Sequence, residues 1–433
     1  NLGGYPYTDL SIPLILTGQY YDNSIPFKDY KKQAYMSSES VLASLNSNGF
    51  DVRVYPAMKR ALYYNEHIED NVVKKSTILD FNNLSNLYRI VLFNYMPTFV
   101  KHKFYSVDNW QLNDKEVFGA LLPYKNKIAL ASVTESSNIF RFYHIMCPHW
   151  PLTINEKLEY EKMEVNRENY KRQATATLEM TRLFINKLKA LGIYDNSLII
   201  IAGDHGAGNQ DQQFVLQSGM EKEGFTSVNN SMMTAALPLM LVKPFKASGE
   251  LHVSDVPVSL SDIPAAIFEE LDIPVNTHGF TLTKPIEIER DRRFLAYSTI
   301  EYPYYGQMTE YKVNGPSWFL ESWHPTFKMY TSKGVIDTSP MPIEFDKPIY
   351  FAAEKKDKKS YEFIGWSPPE KNFTWTNGKM ASLVFPIEEP EQDLILTVKL
   401  HPFIVPGKLD HQQVNVIIND KPTDQWVFSE GGQ

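Results

Sequence analysis

The strongest chemical signal in the sequence is a carboxylate and an imidazole side by side after an apolar run. Residues 198–202 are all apolar, and Gly203, Asp204 and His205 follow directly. A strand over 197–202 would present both side chains at the carboxyl edge of a sheet, where ligands bind in open α/β folds. Together they suit a divalent cation. The alternative is a solvated turn in which Asp204 caps the next segment.

A second polar cluster follows another short apolar-rich run, residues 139–146. His144 lies inside the run, and His149 comes just after it, between two prolines and next to Trp150. An imidazole at a strand end can stabilise developing negative charge or protonate a leaving alkoxide. Histidines of this kind also serve structural roles, so the sequence leaves both interpretations open.

The elements that would position these residues alternate between helices and strands. Strands are expected at 128–133, 139–146, 197–202 and 237–242, and helices at 169–191 and 261–271, after an earlier helix and strand within 38–55. The continuous apolar character of 197–202 is typical of a strand buried on both faces of a parallel sheet. The alternation indicates α/β architecture.

The pattern changes near residue 340, which predicts two domains, 1–338 and 339–433. In the second, short alternating runs punctuated by turns indicate a β-sandwich with strands at 361–364, 381–385, 394–400, 414–418 and 425–428. It resembles carbohydrate-binding modules. Exposed Trp366, Trp375 and Trp426 rings would suit sugars, although a tryptophan in a sandwich is more often part of the core.

Composition narrows the possible partners. The net charge is −8 and no basic stripe is present, so we expect no nucleic-acid partner. Cys147 is the only cysteine, which excludes an internal disulfide and a cysteine-based zinc cluster. No apolar run approaches the roughly 20 residues of a membrane helix. The first residue is not Met and no signal-type segment is present, so we expect a processed or trimmed chain.

The order of several motifs resembles the alkaline phosphatase superfamily, in its branch of sulfatases, phosphoethanolamine transferases and lipoteichoic-acid synthases. The motifs are Leu16-Thr17-Gly18, the 188–197 lead-in to the 197–202 strand, Gly203-Asp204-His205-Gly206, Pro238-Leu239, 258–264, and 271–274 with His278-Gly279-Phe280. The resemblance implies a mostly parallel central sheet with helices on both faces. It also implies one divalent metal ion, for which Mn, Mg and Zn all fit.

The resemblance further assigns roles to single residues. Thr8 lies eight residues before Leu16, the position of the family's nucleophile, and becomes the expected nucleophile and metal ligand, with Asp204 and His205 as the other ligands. His149 matches a histidine that contacts the transferred group or its leaving oxygen. Further substrate contacts are expected from His144, Trp150 and Asn209. Ser11 is the rival hydroxyl, and Thr8 could instead cap a helix that begins near Leu10.

Departures from the family pattern refine these expectations. Residues 7–11 have neither the Cys nor the Arg of the Cys/Ser-x-Pro-x-Arg signature that is oxidised to formylglycine in sulfatases, so sulfate ester hydrolysis is less favoured. The upstream strand that carries an acidic metal ligand is not in this sequence, so a fourth ligand is expected from elsewhere. No histidine lies between Gly206 and Asn229, which favours a single metal ion.

The expected enzyme transfers a phosphoglycerol- or phosphoethanolamine-type group. The donor would be a phospholipid or another phosphodiester, the intermediate a phospho-threonine, and the acceptor a cell-envelope glycan. We expect an extracytoplasmic protein associated with the membrane through an upstream segment. Four alternatives remain open: a phosphodiesterase or phosphonate hydrolase, a sulfatase, a catalytically inactive glycan-binding or assembly protein, and a purely structural protein.

Overall fold

A computed structural model describes most of the chain in two compact units. The first comprises Asn1–Ser339 with Ile364–Ser367 and Thr376–Ala381, and the second comprises Pro340–Phe363, Pro368–Trp375 and Ser382–Gln433. The described residues are 1–55, 124–126, 128–133, 138–206, 231–274, 279–280, 282, 290–297, 300–301, 303–319, 322–339, 343, 345, 347–353, 361, 366–367, 369–376, 381–387, 392–418 and 421–429.

The first unit opens with three helices and a strand: α1 (Thr8–Thr17), α2 (Phe27–Met36), α3 (Val41–Ser47) and β1 (Asp51–Tyr55). Helix α1 carries mostly apolar side chains, and every residue from Asp9 to Thr17 is buried, including the polar Asp9, Ser11 and Thr17. Such a helix belongs inside a protein core. It ends at Gly18, whose φ of 69° allows its N–H to bond the Leu14 carbonyl.

Two strand pairs follow. Strand β2 (Ile139–Tyr143) pairs in parallel with β1, from Asp51 opposite Ile139 to Tyr55 opposite Tyr143. After helix α4 (Arg167–Ala190), strand β3 (Ile199–Ala202) pairs with β4 (Met240–Lys243). The predictions of a helix at 169–191 and of strands at 139–146, 197–202 and 237–242 are therefore confirmed in position.

Two local expectations were wrong. Strand β3 pairs antiparallel with β4, and its residues are half buried, since the sheet that the described residues form here has only these two strands. The run at 128–133 is not a strand: residues 128–130 are helical, and Leu130 is 82% exposed, so its apolar side chain is not part of a sheet core. A short apolar run does not by itself distinguish helix from strand.

The first residues of the chain are held by backbone hydrogen bonds to distant segments. The Leu2 N–H donates to Val258 O (2.9 Å), and the Leu2 carbonyl accepts from Leu260 N (2.9 Å). The Gly3 N–H donates to Ala236 O at 2.8 Å. The segment just before α1 is therefore fixed to the region around β4, and this sets where Thr8 can lie.

The remainder of the unit is helical and then antiparallel. Helix α5 (Ser231–Ala235) precedes β4, and a 3₁₀ turn (Leu260–Asp262) leads into α6 (Ile263–Glu270). Strands β5 (Asp291–Ala296), β8 (Met308–Asn314), β9 (Trp323–Thr331) and β10 (Gly334–Asp337) form a four-stranded sheet in the order β10-β9-β8-β5, and β6 (Ile300–Glu301) pairs with β7 (Tyr304–Tyr305). Strand β5 also touches the N-terminal segment, since Leu295 N donates to Gly4 O.

The second unit contains one regular hairpin among its described residues, β11 (His411–Ile418) with β12 (Lys421–Ser429). These strands match the predictions at 414–418 and 425–428. The predicted strands at 381–385 and 394–400 are not strands in the structure, and Ile395 is 93% exposed, so the alternating pattern there buries no face. Trp375 is exposed and Trp366 and Trp426 are half buried, and carbohydrate binding stays a prediction.

No helix in the described part of the chain has both the length and the apolar character needed to cross a membrane.

A buried ion pair joins the turn before α6 to the start of β5. Arg290 bonds both oxygens of Asp262, at 2.8 and 3.0 Å, and the Asp262 side chain is fully buried. The same carboxylate accepts from the backbone N–H of Ser259 and of Phe280. Losing one partner of such a pair leaves a buried charge without compensation.

We therefore expect Asp262→Asn to lower the free energy of unfolding by about 3–5 kcal/mol, measured by urea denaturation. The matched control is Lys312→Met, which removes an exposed ion pair with Asp291 (2.6 Å). Its effect should stay within about 1 kcal/mol. Equal losses in the two variants would contradict the importance assigned to the buried pair.

Candidate active site

Thr8 lies at the first position of helix α1, and its hydroxyl faces the end of strand β3. Thr8 Oγ1 is 3.4 Å from His205 Nε2, although 197 residues separate them in the sequence. The helix begins at Thr8 rather than near Leu10, and Tyr7 occupies the cap position in an extended conformation without a side-chain cap bond. The interpretation of Thr8 as a helix cap is therefore wrong, because its hydroxyl lies toward His205.

Ser11, the rival hydroxyl, is buried within the helix. Its Oγ donates to the carbonyls of Tyr7 (2.9 Å) and Tyr5 (3.4 Å), and its relative exposure is 0%. A fully buried hydroxyl bonded to its own backbone is inaccessible to a substrate. Of the two candidates, Thr8 is the one whose hydroxyl reaches the polar residues after β3.

The backbone fixes the orientation of the His205 ring. Its Nδ1 lies 2.7 Å from the carbonyl oxygen of Gly206. A carbonyl only accepts hydrogen bonds, so Nδ1 carries the proton. In the neutral imidazole the lone pair is then on Nε2, which faces Thr8. This is the arrangement of a histidine prepared to bind a metal or to accept a proton.

The turn that carries Asp204 and His205 is attached closely to the segment before β4. Gly203 N donates to Leu239 O (2.9 Å), and Gly206 N donates to Ala235 O (2.7 Å). A Cβ at position 206 would lie 2.0 Å from the Thr234 carbonyl oxygen, so glycine permits this approach. This close approach of the backbone explains why a glycine follows Asp204 and His205 in the motif.

Asp204 has a buried oxygen available for a ligand. Within the described residues its Oδ2 has no hydrogen-bond partner, and it lies 3.8 Å from His205 Nε2. Burial raises the pKa of this carboxyl, but the neighbouring His205, His144 and Thr8 groups lower it by a larger amount. The pKa of Asp204 therefore lies below its usual value. The carboxylate is therefore ionised and incompletely satisfied, which is costly unless a cation or another donor is present.

These donors fit a divalent metal ion. Thr8 and Asp204 supply oxygen and His205 supplies nitrogen, a mixture that Mn, Mg and Zn sites use to different degrees. The described residues hold no group of three or more His, Cys, Asp or Glu able to share an ion. The expected fourth, acidic ligand is therefore not among the groups that this part of the structure gathers.

The histidines after β2 belong to the same polar region. Burial lowers the pKa of His144; the Asp204 carboxylate opposes this, and His205 and His149 reinforce it. His144 is thus neutral at neutral pH and lies within electrostatic range of all three groups. His149 stacks on Trp150 with ring centroids 5.4 Å apart, and its Nδ1 contacts the Trp150 carbonyl. Both His149 and Trp150 are half buried.

Sequence reasoning did not identify the aromatic residues beside Thr8. The Tyr7 ring meets the His205 ring edge-on at 6.4 Å and the Tyr297 ring at 5.4 Å, while Tyr305 Oη donates to Asp9 Oδ2 at 3.3 Å. Tyr297 and Tyr305 lie almost 300 positions after Thr8, so no spacing pattern could have linked them. Asn209 lies outside the described residues.

This geometry and the α/β fold define a class of enzyme. A hydroxyl, a carboxylate and several imidazoles gathered at a strand end are typical of enzymes that hydrolyse or transfer phosphoric or sulfuric ester groups. The chain belongs to the sulfatase family, whose profile, Sulfatase, matches residues 1–273. That family is part of the alkaline phosphatase superfamily, so the resemblance found in the sequence is confirmed.

Individual relatives are more distant. Lipoteichoic acid synthase 1 of Bacillus subtilis (strain 168) is 27% identical over 157 residues, which cover 35% of this chain and 24% of that protein. Among solved structures, the phosphonate monoester hydrolase SpPMH from Silicibacter pomeroyi is similar with a TM-score of 0.45, 13% identity, and coverage of 77% of this chain and 81% of that one. BT1596, a 2-O GAG sulfatase, is similar with a TM-score of 0.43 and 10% identity, and the match covers 77% of this chain and 76% of that one.

If Asp204 helps to hold a cation, added metal should stabilise the protein through that residue. At a Mn²⁺ concentration of about 100 times Kd, binding to the folded state adds about 2.7 kcal/mol, which differential scanning fluorimetry detects as a rise in Tm. Asp204→Asn should abolish the rise. The matched control is Asp9→Asn, since Asp9 is adjacent to Thr8 but faces Tyr305. An unchanged Mn²⁺ response in Asp204→Asn would remove Asp204 from the site, and parallel titrations with Mg²⁺ and Zn²⁺ compare the ions.

Proposed function

We propose that this enzyme transfers a phosphoglycerol- or phosphoethanolamine-type group through a phospho-threonine to a cell-envelope glycan. The observation that carries the proposal is the 3.4 Å approach of the Thr8 hydroxyl to His205, next to an ionised Asp204. A nucleophile that must be activated is expected to adjoin the groups that activate it. The partial similarity to a lipoteichoic acid synthase favours a phosphorylated polymer or lipid over a sulfate ester.

In the first half-reaction, Thr8 Oγ1 forms a bond to the phosphorus of a phospholipid or other phosphodiester donor. The bond from phosphorus to the donor alcohol breaks, and His149 gives a proton to the departing alkoxide. A divalent cation held by Thr8, Asp204 and His205 would lower the pKa of the Thr8 hydroxyl, whose proton passes to solvent. We propose that the transferred group is contacted by His144, whose pKa is influenced by Asp204 and His205, and by Trp150, which stacks on His149.

In the second half-reaction, a glycan hydroxyl gives its proton to His149 and attacks the phospho-threonine. The bond between Thr8 Oγ1 and phosphorus breaks, and Oγ1 takes a proton from solvent, which restores the Thr8 hydroxyl for the next cycle. Water in place of the glycan would make the enzyme a phosphodiesterase. We place the reaction outside the cytoplasm, because the proposed acceptor is found there, and propose that a segment beyond this chain associates with the membrane.

Thr8→Ala should abolish the covalent intermediate and lower turnover of bis(p-nitrophenyl) phosphate with Mn²⁺ by at least about 10³-fold, because removing a nucleophile removes its reaction path. Intact-mass spectrometry after acid quenching detects the phosphorylated enzyme, and peptide mapping locates the modification at Thr8. The control is Ser11→Ala, which removes the rival hydroxyl and should still form the intermediate. Full activity in Thr8→Ala would refute the assignment.

Assays of the wild-type protein with different esters distinguish the competing reactions. We expect p-nitrophenyl phosphodiesters to be cleaved, while p-nitrophenyl sulfate is not, since an unmodified threonine lacks the formylglycine of sulfatases. Added glycerol or a sugar alcohol should compete with water and produce a phosphorylated alcohol, measured by ³¹P NMR. Release of inorganic sulfate, or strict transfer to water at every alcohol concentration, would favour the hydrolase alternatives.

A further inference from the structure

One buried glutamine holds the loop that carries His149. Gln173 lies in the second turn of helix α4 and has 0% relative exposure. Its Oε1 accepts from the N–H groups of Thr153 (2.8 Å) and Ile154 (3.1 Å). Its Nε2 donates to the carbonyls of Pro148 (3.2 Å) and His149 (2.7 Å). A single amide therefore ties both ends of the 148–154 loop to the helix.

The four contacts use every strong hydrogen-bonding position of the side chain. An amide has two N–H donors and an oxygen with two lone pairs, and each has one partner here. The orientation of the amide is unambiguous, because a backbone N–H only donates and a carbonyl only accepts. No side chain of another type with this length presents two donors and two acceptors in one plane.

This arrangement has a direct consequence for His149. Its ring is held by its own loop, through the stack on Trp150 and the contact with the Trp150 carbonyl. Gln173 in turn holds the backbone carbonyl of His149 itself. The imidazole is therefore positioned through the loop, and the loop through Gln173.

We propose that Gln173 is a positioning residue that fixes His149 for proton transfer to the leaving alkoxide. This role rests on the proposed function of His149, and it adds the residue that keeps the His149 ring in one position. A shift of about 1 Å in a reacting group can cost about 100-fold in rate. A loop anchored at both ends by one side chain is suited to prevent such a shift.

The test uses Gln173→Glu, which separates the two halves of the contact. A carboxylate still accepts from Thr153 and Ile154, but it cannot donate to the carbonyls of Pro148 and His149. We expect kcat for bis(p-nitrophenyl) phosphate to fall about 10- to 100-fold, with KM changed less than about 2-fold. In a His149→Ala background the same substitution should change kcat by less than about 2-fold, because residues that act through one another are not additive.

A second variant and a second measurement separate positioning from general stability. Met180 lies on the same helix as Gln173, packs in a core cluster with Cys147 and Ile154, and is 2% exposed. Met180→Ala should lower Tm at least as much as Gln173→Glu while keeping kcat. The ¹⁵N imidazole resonances of His149, assigned by their loss in His149→Ala, should move in Gln173→Glu and stay in place in Met180→Ala.

Wild-type kcat with unmoved His149 resonances in Gln173→Glu would overturn the inference, and so would a full additive loss in the His149→Ala background. If His149→Ala itself keeps full activity, or the wild-type protein cleaves no diester, the proposed function of His149 fails instead. In that case the NMR comparison alone decides whether Gln173 positions the ring.

Discussion

The site depends on a few main-chain hydrogen bonds made by the first residues of the chain. Leu2 and Gly3 are bound to the segments around residues 236 and 258–260, and Gly4 accepts from Leu295. Only with this segment in place can helix α1 start where Thr8 reaches His205. The Thr8 hydroxyl and the His205 ring, which are 197 residues apart in the sequence, are thus brought within 3.4 Å of each other by the backbone pairing of distant segments.

The electrostatic environment follows from the same packing. Burial lowers the pKa of His144, whereas the pKa of the Asp204 carboxyl lies below its usual value because interactions with His205, His144 and Thr8 outweigh the effect of burial. A buried carboxylate with an oxygen that has no partner in the described structure is destabilised in the absence of a ligand. A bound cation would supply the partner that this oxygen lacks within the described residues.

Local patterns in the sequence predicted the local parts of the structure. The apolar stripe of α4 predicted a helix, the apolar run of β3 predicted a strand, and the glycines around Asp204 and His205 predicted a tight turn. Each of these patterns depends only on residues that are close together in the sequence. The run at 128–133 and the strands expected at 381–385 and 394–400 were not predicted correctly, since strand formation requires a partner that periodicity does not reveal. Tyr7 and Gln173 were missed for a related reason. Tyr7 contacts the rings of His205 and Tyr297, which are far from it in the sequence. Gln173 bonds the 148–154 loop, whose position no residue spacing predicts.

The complete burial of α1 has a consequence for how the enzyme accommodates its substrates. A helix whose residues from Asp9 to Thr17 all face the core has no open side on which to shift or rotate. The Thr8 hydroxyl is therefore carried by a rigid support. Differences in the size or shape of an ester presented to Thr8 must be accommodated by residues outside α1, since the helix itself cannot move aside.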